Sequence, residues 1–323
     1  MKKFTKTYEE VMTFENLFLA WREFVRDKSK KADVIMFQSK LMDNLFELYE
    51  ELKDKKYRHD SYQAFKINDP KPRDIHKARV RDRVIHHLLY NILYDFFDTT
   101  FIYDSYSCRK SKGTHKALVR FRSFVLKESH NMTKSYYVLK CDVRKFFASI
   151  NHDILKNILR KRIANTDILI LLENIVDSFS IGLPLGNLTS QLLVNIYMNE
   201  FDQFMKRDLK VKYYIRYADD FVIVSQDKKY LENMILVIAD FLEKRLRLKL
   251  HPDKVFIKSI YSGVDFLGWI EFGNHRVVRT STKKRMMRTL QKNNYQKESI
   301  SSYEGMLQHG NAYTIKKEIE MLK

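Results

Sequence analysis

Two adjacent carboxylates set between two runs of strand-forming residues constrain this chain more than any other feature. Tyr213-Tyr214-Ile215-Arg216-Tyr217 and Phe221-Val222-Ile223-Val224 are aromatic and β-branched, and only Ala218-Asp219-Asp220 separates them. That pattern predicts strand, tight turn, strand. Aspartate is depleted in strands, and so short a hairpin ordinarily turns on Gly or Asn. Neighbouring carboxylates repel each other unless a cation lies between them. An exposed polar turn is the plain alternative for a lone Asp-Asp, but an edge hairpin would alternate polar residues onto its solvent face, and these flanks do not.

A third carboxylate, Asp142, ends the strand-like run Tyr137–Cys141. Helix capping near residue 151 is its alternative role, and Asn151 or Ser149 fits that better. Three carboxylates at the ends of adjacent strands would form an oxygen-rich site suited to Mg²⁺, which takes few protein ligands and leaves the rest to water and phosphate. Two such ions serve nucleotidyl transfer. Spacing alone does not prove that the three meet.

The 59 Lys and Arg against 40 Asp and Glu give a formal charge of +19. Such a surplus asks for a polyanionic partner, and nucleic acid leads because phosphate contacts release counterions. A lysine-rich proteome would give the same surplus without function, and charge does not separate the two. The hydrophobic content of 45% excludes wholesale disorder. No apolar run reaches the ~20 residues of a membrane helix, and the polar start after Met1 leads us to expect a cytosolic, membrane-free protein. Cys108 and Cys141 lack metal-ligand spacing, which disfavours zinc.

Helical spacing of Phe14, Leu17, Trp21 and Phe24, then of Phe37, Leu41, Leu45 and Leu48, predicts helix over 14–54. Ala64–Ile67 and Arg73–Ile75, joined through Asn68-Asp69-Pro70, predict a hairpin. Further helices are expected over 81–98, 114–129, 151–179 (two short ones), 189–209 and 227–247. Short strands are expected over 136–141, 254–258 and 264–272, before a mostly helical last fifty residues. The order predicts an α+β core flanked by helical parts.

Tyr217-Ala218-Asp219-Asp220 resembles the Tyr-x-Asp-Asp signature of reverse transcriptases. Other blocks stand in that family's order over roughly residues 55–275. Lys71-Pro72-Arg73 with Arg81-Asp82-Arg83-Val84, and Ser107–His115, resemble fingers motifs. Asp142–Phe147 resembles motif A, Leu183–Gln191 motif B, and Phe266-Leu267-Gly268-Trp269 the primer-grip turn. The resemblance implies an RNA-directed DNA polymerase with an α+β right-hand fold. Its parts would be a helical N-terminal region (1–54), fingers (55–135), palm (136–147), a fingers insertion with the motif B loop (148–190), palm again (191–274) and a short helical thumb (275–323).

The same resemblance assigns roles. Asp142, Asp219 and Asp220 would be catalytic and hold two Mg²⁺ ions, with Mn²⁺ as a substitute. Lys66 and Arg73, facing each other across the hairpin, would neutralise the triphosphate of a dNTP. Phe147 stands where a bulky aromatic blocks a ribose 2′-hydroxyl, beside Phe146, and Leu185 and Gly186 would also line the nucleotide. Lys254 matches a motif D lysine that protonates pyrophosphate. Arg109, Gly113, Tyr217, Gly268 and Trp269 would meet template and primer. Solvated lysines, for Lys66 and Lys254, and core packing, for Phe146 and Phe147, are the plainer alternatives.

Most of the family places Gln before the motif B glycine and Pro after its serine. Here Leu185 and Gln191 take those positions, which resembles the enzymes of diversity-generating retroelements. That implies copying of a structured template-repeat RNA, through an RNA–DNA duplex, with errors opposite adenine, and a small basic accessory variability protein as partner. An amide at 185 could hydrogen-bond the incoming nucleotide, whereas Leu185 only packs, relaxing one geometric check. A neutral swap in a faithful enzyme is the alternative. A phage-defence or other bacterial reverse transcriptase shares the same core. From a different class stands an RNA-binding scaffold with an inactive palm, and RNA-templated RNA synthesis is disfavoured by Phe147.

Overall fold

The computed structural model describes residues 2–68 and 72–321, so Asp69, Pro70 and Lys71 of the expected hairpin turn and motif lie outside the described residues. The chain opens with α1 (Tyr8–Val11), α2 (Phe14–Val25), α3 (Ala32–Gln38) and α4 (Leu41–Lys53), followed by β1 (Gln63–Ile67) and β2 (Arg73–Lys77). Next come α5 (Val80–Asp98), α6 (Thr114–Glu128), β3 (Tyr137–Asp142), α7 (His152–Arg162), α8 (Thr166–Asp177) and α9 (Leu188–Gln203). Strands β4 (Tyr214–Tyr217) and β5 (Asp220–Ser225) precede α10 (Lys228–Leu246), β6 (Phe256–Ser259), β7 (Val264–Phe266), β8 (Trp269–Glu271) and β9 (Arg276–Val278). Helices α11 (Thr280–Lys292), α12 (Lys297–Leu307) and α13 (Tyr313–Glu320) close it.

The helix expected over 14–54 is three helices. The polar run Arg26–Lys31 offers nothing to bury between α2 and α3, and the Asn44 amide donates to the Phe37 carbonyl at 2.8 Å across the second break. The strand expected from 254 starts at Phe256. Pro252–Lys254 forms a 3₁₀ turn instead, where the His251 ring accepts the Asp253 N–H at 3.2 Å. The strand expected over 264–272 is a hairpin, because Leu267 and Gly268 both take positive φ (50° and 86°) as a two-residue primed turn demands.

Two compact units emerge. The first holds 1–103, 143–204 and 241–249. In it α2 packs on α5, and α5 on α9. α2 buries Leu17, Ala20, Trp21 and Phe24, a stripe at helical period, while α9 buries most of its circumference, with Leu192 to Asn199 and Phe201 all buried. The Asn151 and Asn165 side chains cap α7 and α8, each accepting a backbone N–H at 3.0 Å. The two-stranded ribbon β1–β2 pairs Lys66 with Asp74 and Ile67 with Arg73.

The second unit holds 104–142, 205–240 and 250–323. Its antiparallel sheet runs β4-β5-β3-β6, and a smaller one runs β7-β8-β9. Val138, Ile215, Val222 and Val224 join one hydrophobic cluster with Ala117, Phe121 and Phe124 of α6. That cluster continues through Phe266, Trp269, Met286 and Leu290 into Ile300 and Ile315. The α+β class is as expected. No helix among the described residues is long and apolar enough to cross a membrane.

One glycine in the first unit is fixed by both conformation and space. Gly182 takes φ 67°, its carbonyl meets the His152 ring nitrogen Nε2 at 2.6 Å, and an added Cβ would press into the Phe147 carbonyl oxygen. The same Phe147 oxygen accepts the Leu183 N–H at 2.8 Å. Gly182→Ala should therefore destabilise the protein by roughly 2–4 kcal/mol, measured by denaturant unfolding.

Candidate active site

β3 and β5 pair in a register that sets Asp142 opposite Asp220, the last and first residues of their strands. Because side chains alternate along a strand, the two carboxylates share a face with Lys140, Val138 and Val222. Asp219 sits one residue earlier in the turn. The register thus brings Asp142 and Asp220 together within one unit. Asp142 and Asp219 both add repulsion to the ionised form of Asp220.

Burial first, then the two neighbouring carboxylates, push the Asp220 carboxyl up to about 7, although the Lys140 ammonium pulls the other way from 3.2 Å at Oδ2. The Oδ1 atom of Asp220 is buried and has no hydrogen-bond partner. Asp142 carries a second ammonium: the Lys254 Nζ lies 2.8 Å from Oδ1. The 3₁₀ turn of Pro252–Lys254 delivers it, docked where the His251 N–H donates to the Asp142 carbonyl at 2.7 Å. Each lysine pairs with one carboxylate, and one buried Asp220 oxygen is left without a partner.

The turn itself needs support. Tyr217 pairs with Asp220, so Ala218 and Asp219 form a two-residue loop, and Ala218 takes φ 56°. Glycine would occupy that conformation freely, whereas alanine is penalised by roughly 1–2 kcal/mol. Arg216, 0% exposed in β4, donates from Nη1 to the Ala218 carbonyl at 3.0 Å and from Nη2 to the Ser105 hydroxyl at 3.1 Å. The backbone of 104–106 pairs with Arg216: its N–H donates to the Asp104 carbonyl, and its carbonyl accepts the Tyr106 N–H, both at 3.0 Å. Thr114, opening α6, donates to the Tyr217 hydroxyl at 3.2 Å.

Sequence reasoning missed Arg216 and Lys140. Their signal was a charged residue at an inward position of an otherwise apolar strand, which is rare without a partner.

The other candidates divide between the units. Arg109 donates to the Ser105 carbonyl at 3.0 Å, and Gly113 takes φ 110° at the start of α6; both share the second unit with the carboxylates. Gly268 makes the β7–β8 turn. Trp269 is 3% exposed and packs against Gly310, so its side chain belongs to the core and not to a strand-binding surface. In the first unit, Phe146 is likewise buried, while Phe147 is half-buried. Gly186, at φ 109°, lies against Ile75 of β2, and the Leu185 carbonyl accepts the His76 N–H at 3.4 Å. Lys66 and Arg73 do not face each other. Their register is offset by one residue, which sends them to opposite faces of the ribbon.

Among the described residues, no three His, Cys, Asp or Glu side chains are grouped closely enough to form a metal cage. The donor set nonetheless suits a hard cation that keeps most of its waters: carboxylates only, one buried oxygen unpartnered, and mutual repulsion left over. Because the folded carboxyl of Asp220 lies above its ordinary value, its ionisation costs stability as pH rises through about 7. Without divalent cations, Asp220→Asn should be more stable than wild type at pH 8. The gain should shrink as pH falls and vanish below the ordinary aspartate value, as melting temperatures across that range would record.

The reverse transcriptase (RNA-dependent DNA polymerase) family model matches residues 66–270. Protein YkfC of Escherichia coli (strain K12) is 27% identical over 253 residues, covering 65% of this chain and 64% of that protein. The COX1/OXI3 intron 2 protein of Saccharomyces cerevisiae is 21% identical over 255 residues, 58% of this chain and 29% of that one. The chain thus spans less than two thirds of either relative. Among solved structures, apo telomerase from Candida tropicalis truncated from its C-terminal domain aligns with TM-score 0.52 and 11% identity, covering 74% of this chain and 60% of that one. Telomerase from Candida albicans, solved with a TWJ fragment of telomeric RNA, gives 0.50 and 10%, covering 79% and 54%. At such identities the likeness is one of fold.

Proposed function

The chain belongs to the reverse transcriptase (RNA-dependent DNA polymerase) family, and from that premise we propose that it is an RNA-directed DNA polymerase of a diversity-generating retroelement. The observation that carries the polymerase reading is the register pairing Asp142 with Asp220, with Asp219 in the adjoining turn. Leu185 and Gln191 support the narrower assignment: a template-repeat RNA copied with errors opposite adenine.

Asp142, Asp219 and Asp220 are the residues to hold Mg²⁺, two ions with Mn²⁺ as a substitute, which when bound supply charge neutralisation for phosphoryl chemistry. The Lys254 Nζ, 2.8 Å from Asp142 Oδ1, is the group that would protonate a departing pyrophosphate. Arg73 offers a fork matched to phosphate oxygens. Since Lys66 projects from the other face of the ribbon, only one of the two serves the triphosphate. Phe147, its backbone tied to Leu183, acts as the bar to a ribose 2′-hydroxyl.

The right-hand division into fingers, palm and helical thumb follows the same reading. So do its partners: a structured template RNA, the RNA–DNA duplex gripped by Arg109 and the basic C-terminal helices, dNTPs, and a small basic accessory variability protein. A cytosolic setting fits this work.

Asp219→Asn should abolish Mg²⁺-dependent primer extension on an RNA template while leaving the circular dichroism spectrum intact; extension at the wild-type rate would reject the assignment. Leu185→Gln should lower errors opposite template adenine, read by sequencing the cDNA. An unaltered error spectrum would leave a bacterial reverse transcriptase of another kind.

A further inference from the structure

Next to the Leu185–Asn187 loop and the first turn of α9, in the first unit, lies a chain of polar groups that the chemistry above does not use. His86 of α5 is 1% exposed. Its Nδ1 lies 2.7 Å from the Thr189 hydroxyl, and its Nε2 lies 3.2 Å from Nε2 of His59. His59 Nδ1 lies 2.6 Å from the carbonyl oxygen of Asp60. Thr189, 2% exposed, stands in the first turn of α9, three residues past Gly186.

The carbonyl end fixes every proton in this chain. A carbonyl only accepts, so His59 carries its hydrogen on Nδ1, and its Nε2, in the neutral ring, accepts. His86 must then donate from Nε2, which leaves Nδ1 to accept from the Thr189 hydroxyl. All three links are satisfied in one direction, with both rings neutral. Burial, more than any other cause, holds the His86 imidazole well below the ordinary histidine range, which favours that neutral form.

The surrounding groups are specific. The 57–62 segment brings Tyr57, Tyr62 stacked on His59 at 4.7 Å, and Asp60, whose carboxylate meets Arg79 at 2.9 Å. α5 brings Asp82, which accepts from the Tyr57 hydroxyl at 2.8 Å, along with Arg83 and His87. α8 brings the Asn174 amide oxygen, which accepts the backbone N–H of His59 at 3.1 Å.

We propose that His86 is a positioning residue, which through Thr189 at the start of α9 holds the preceding Leu185–Asn187 loop in the arrangement that seats the incoming nucleotide. The role rests on the polymerase reading; the proton order does not. One proton taken up at His59 Nε2 would set N–H against N–H. The pair re-forms only if His86 moves its own hydrogen from Nε2 to Nδ1, which turns Thr189 from donor to acceptor. The loop's hold is thereby tied to the charge of His59.

Nitrogen NMR of the full chain labelled with ¹⁵N-histidine reads the order directly. At pH 8, His86 should show the Nε2–H tautomer and His59 the Nδ1–H tautomer, and the Nδ1–H tautomer at His86 overturns the relay. In primer extension, Thr189→Val, which keeps shape and loses the hydroxyl, should raise the KM for dNTP about fivefold to tenfold with kcat nearly unchanged. Thr189→Ser should match wild type. The wild-type KM should also rise in acid as the paired imidazoles take up a proton and the relay's order is lost, whereas that of the Val variant stays flat. A Val variant with the wild-type KM and acid limb removes the positioning role. Wild-type protein that extends no primer on RNA rejects the polymerase reading instead, and the tautomers still decide the relay.

Discussion

Repulsion between carboxylates is the constraint around which the second unit is built. The β3–β5 register leaves Asp142 no choice but to face Asp220, and the turn adds Asp219. A sheet whose apolar residues alone mattered would not end in three acids. Keeping them together requires cationic compensation from the same sheet face, from Lys140, and from a turn docked on the strand end, from Lys254. Even so, one Asp220 oxygen stays unpartnered, and its burial costs local stability.

The geometry of the Asp-Asp turn has its own scaffolding. Alanine at a left-handed position is unfavourable in isolation, and the Arg216 guanidinium reaches over to its carbonyl. Arg216 is in turn seated by Ser105 and by backbone pairing on both sides of it. The turn's shape thus depends on a loop more than a hundred residues upstream, which no inspection of the Tyr-Ala-Asp-Asp stretch alone would reveal.

Much of this was legible in the sequence because it is local. The aromatic and β-branched runs on either side of Ala218-Asp219-Asp220 gave the hairpin, the helices expected over 81–98, 189–209 and 227–247 formed as α5, α9 and α10, and the ordered motif blocks led to the family. What stayed hidden depends on register and long-range contacts. Lys66 and Arg73 look like partners along the chain, yet an offset of one residue parts them. Trp269 sits in a motif but fills the core. The break between α2 and α3 was written in Arg26–Lys31 and was outweighed by the strong periods on either side.

The two lysines carry a consequence for assembly. By lending ammonium groups to its own acids, the polypeptide completes this end of the sheet without waiting for a divalent ion. Under the proposed function, loading with a divalent ion would be an exchange of counterions rather than a folding step. On that reading, affinity would be set by competition with the tethered ammonium groups of Lys140 and Lys254.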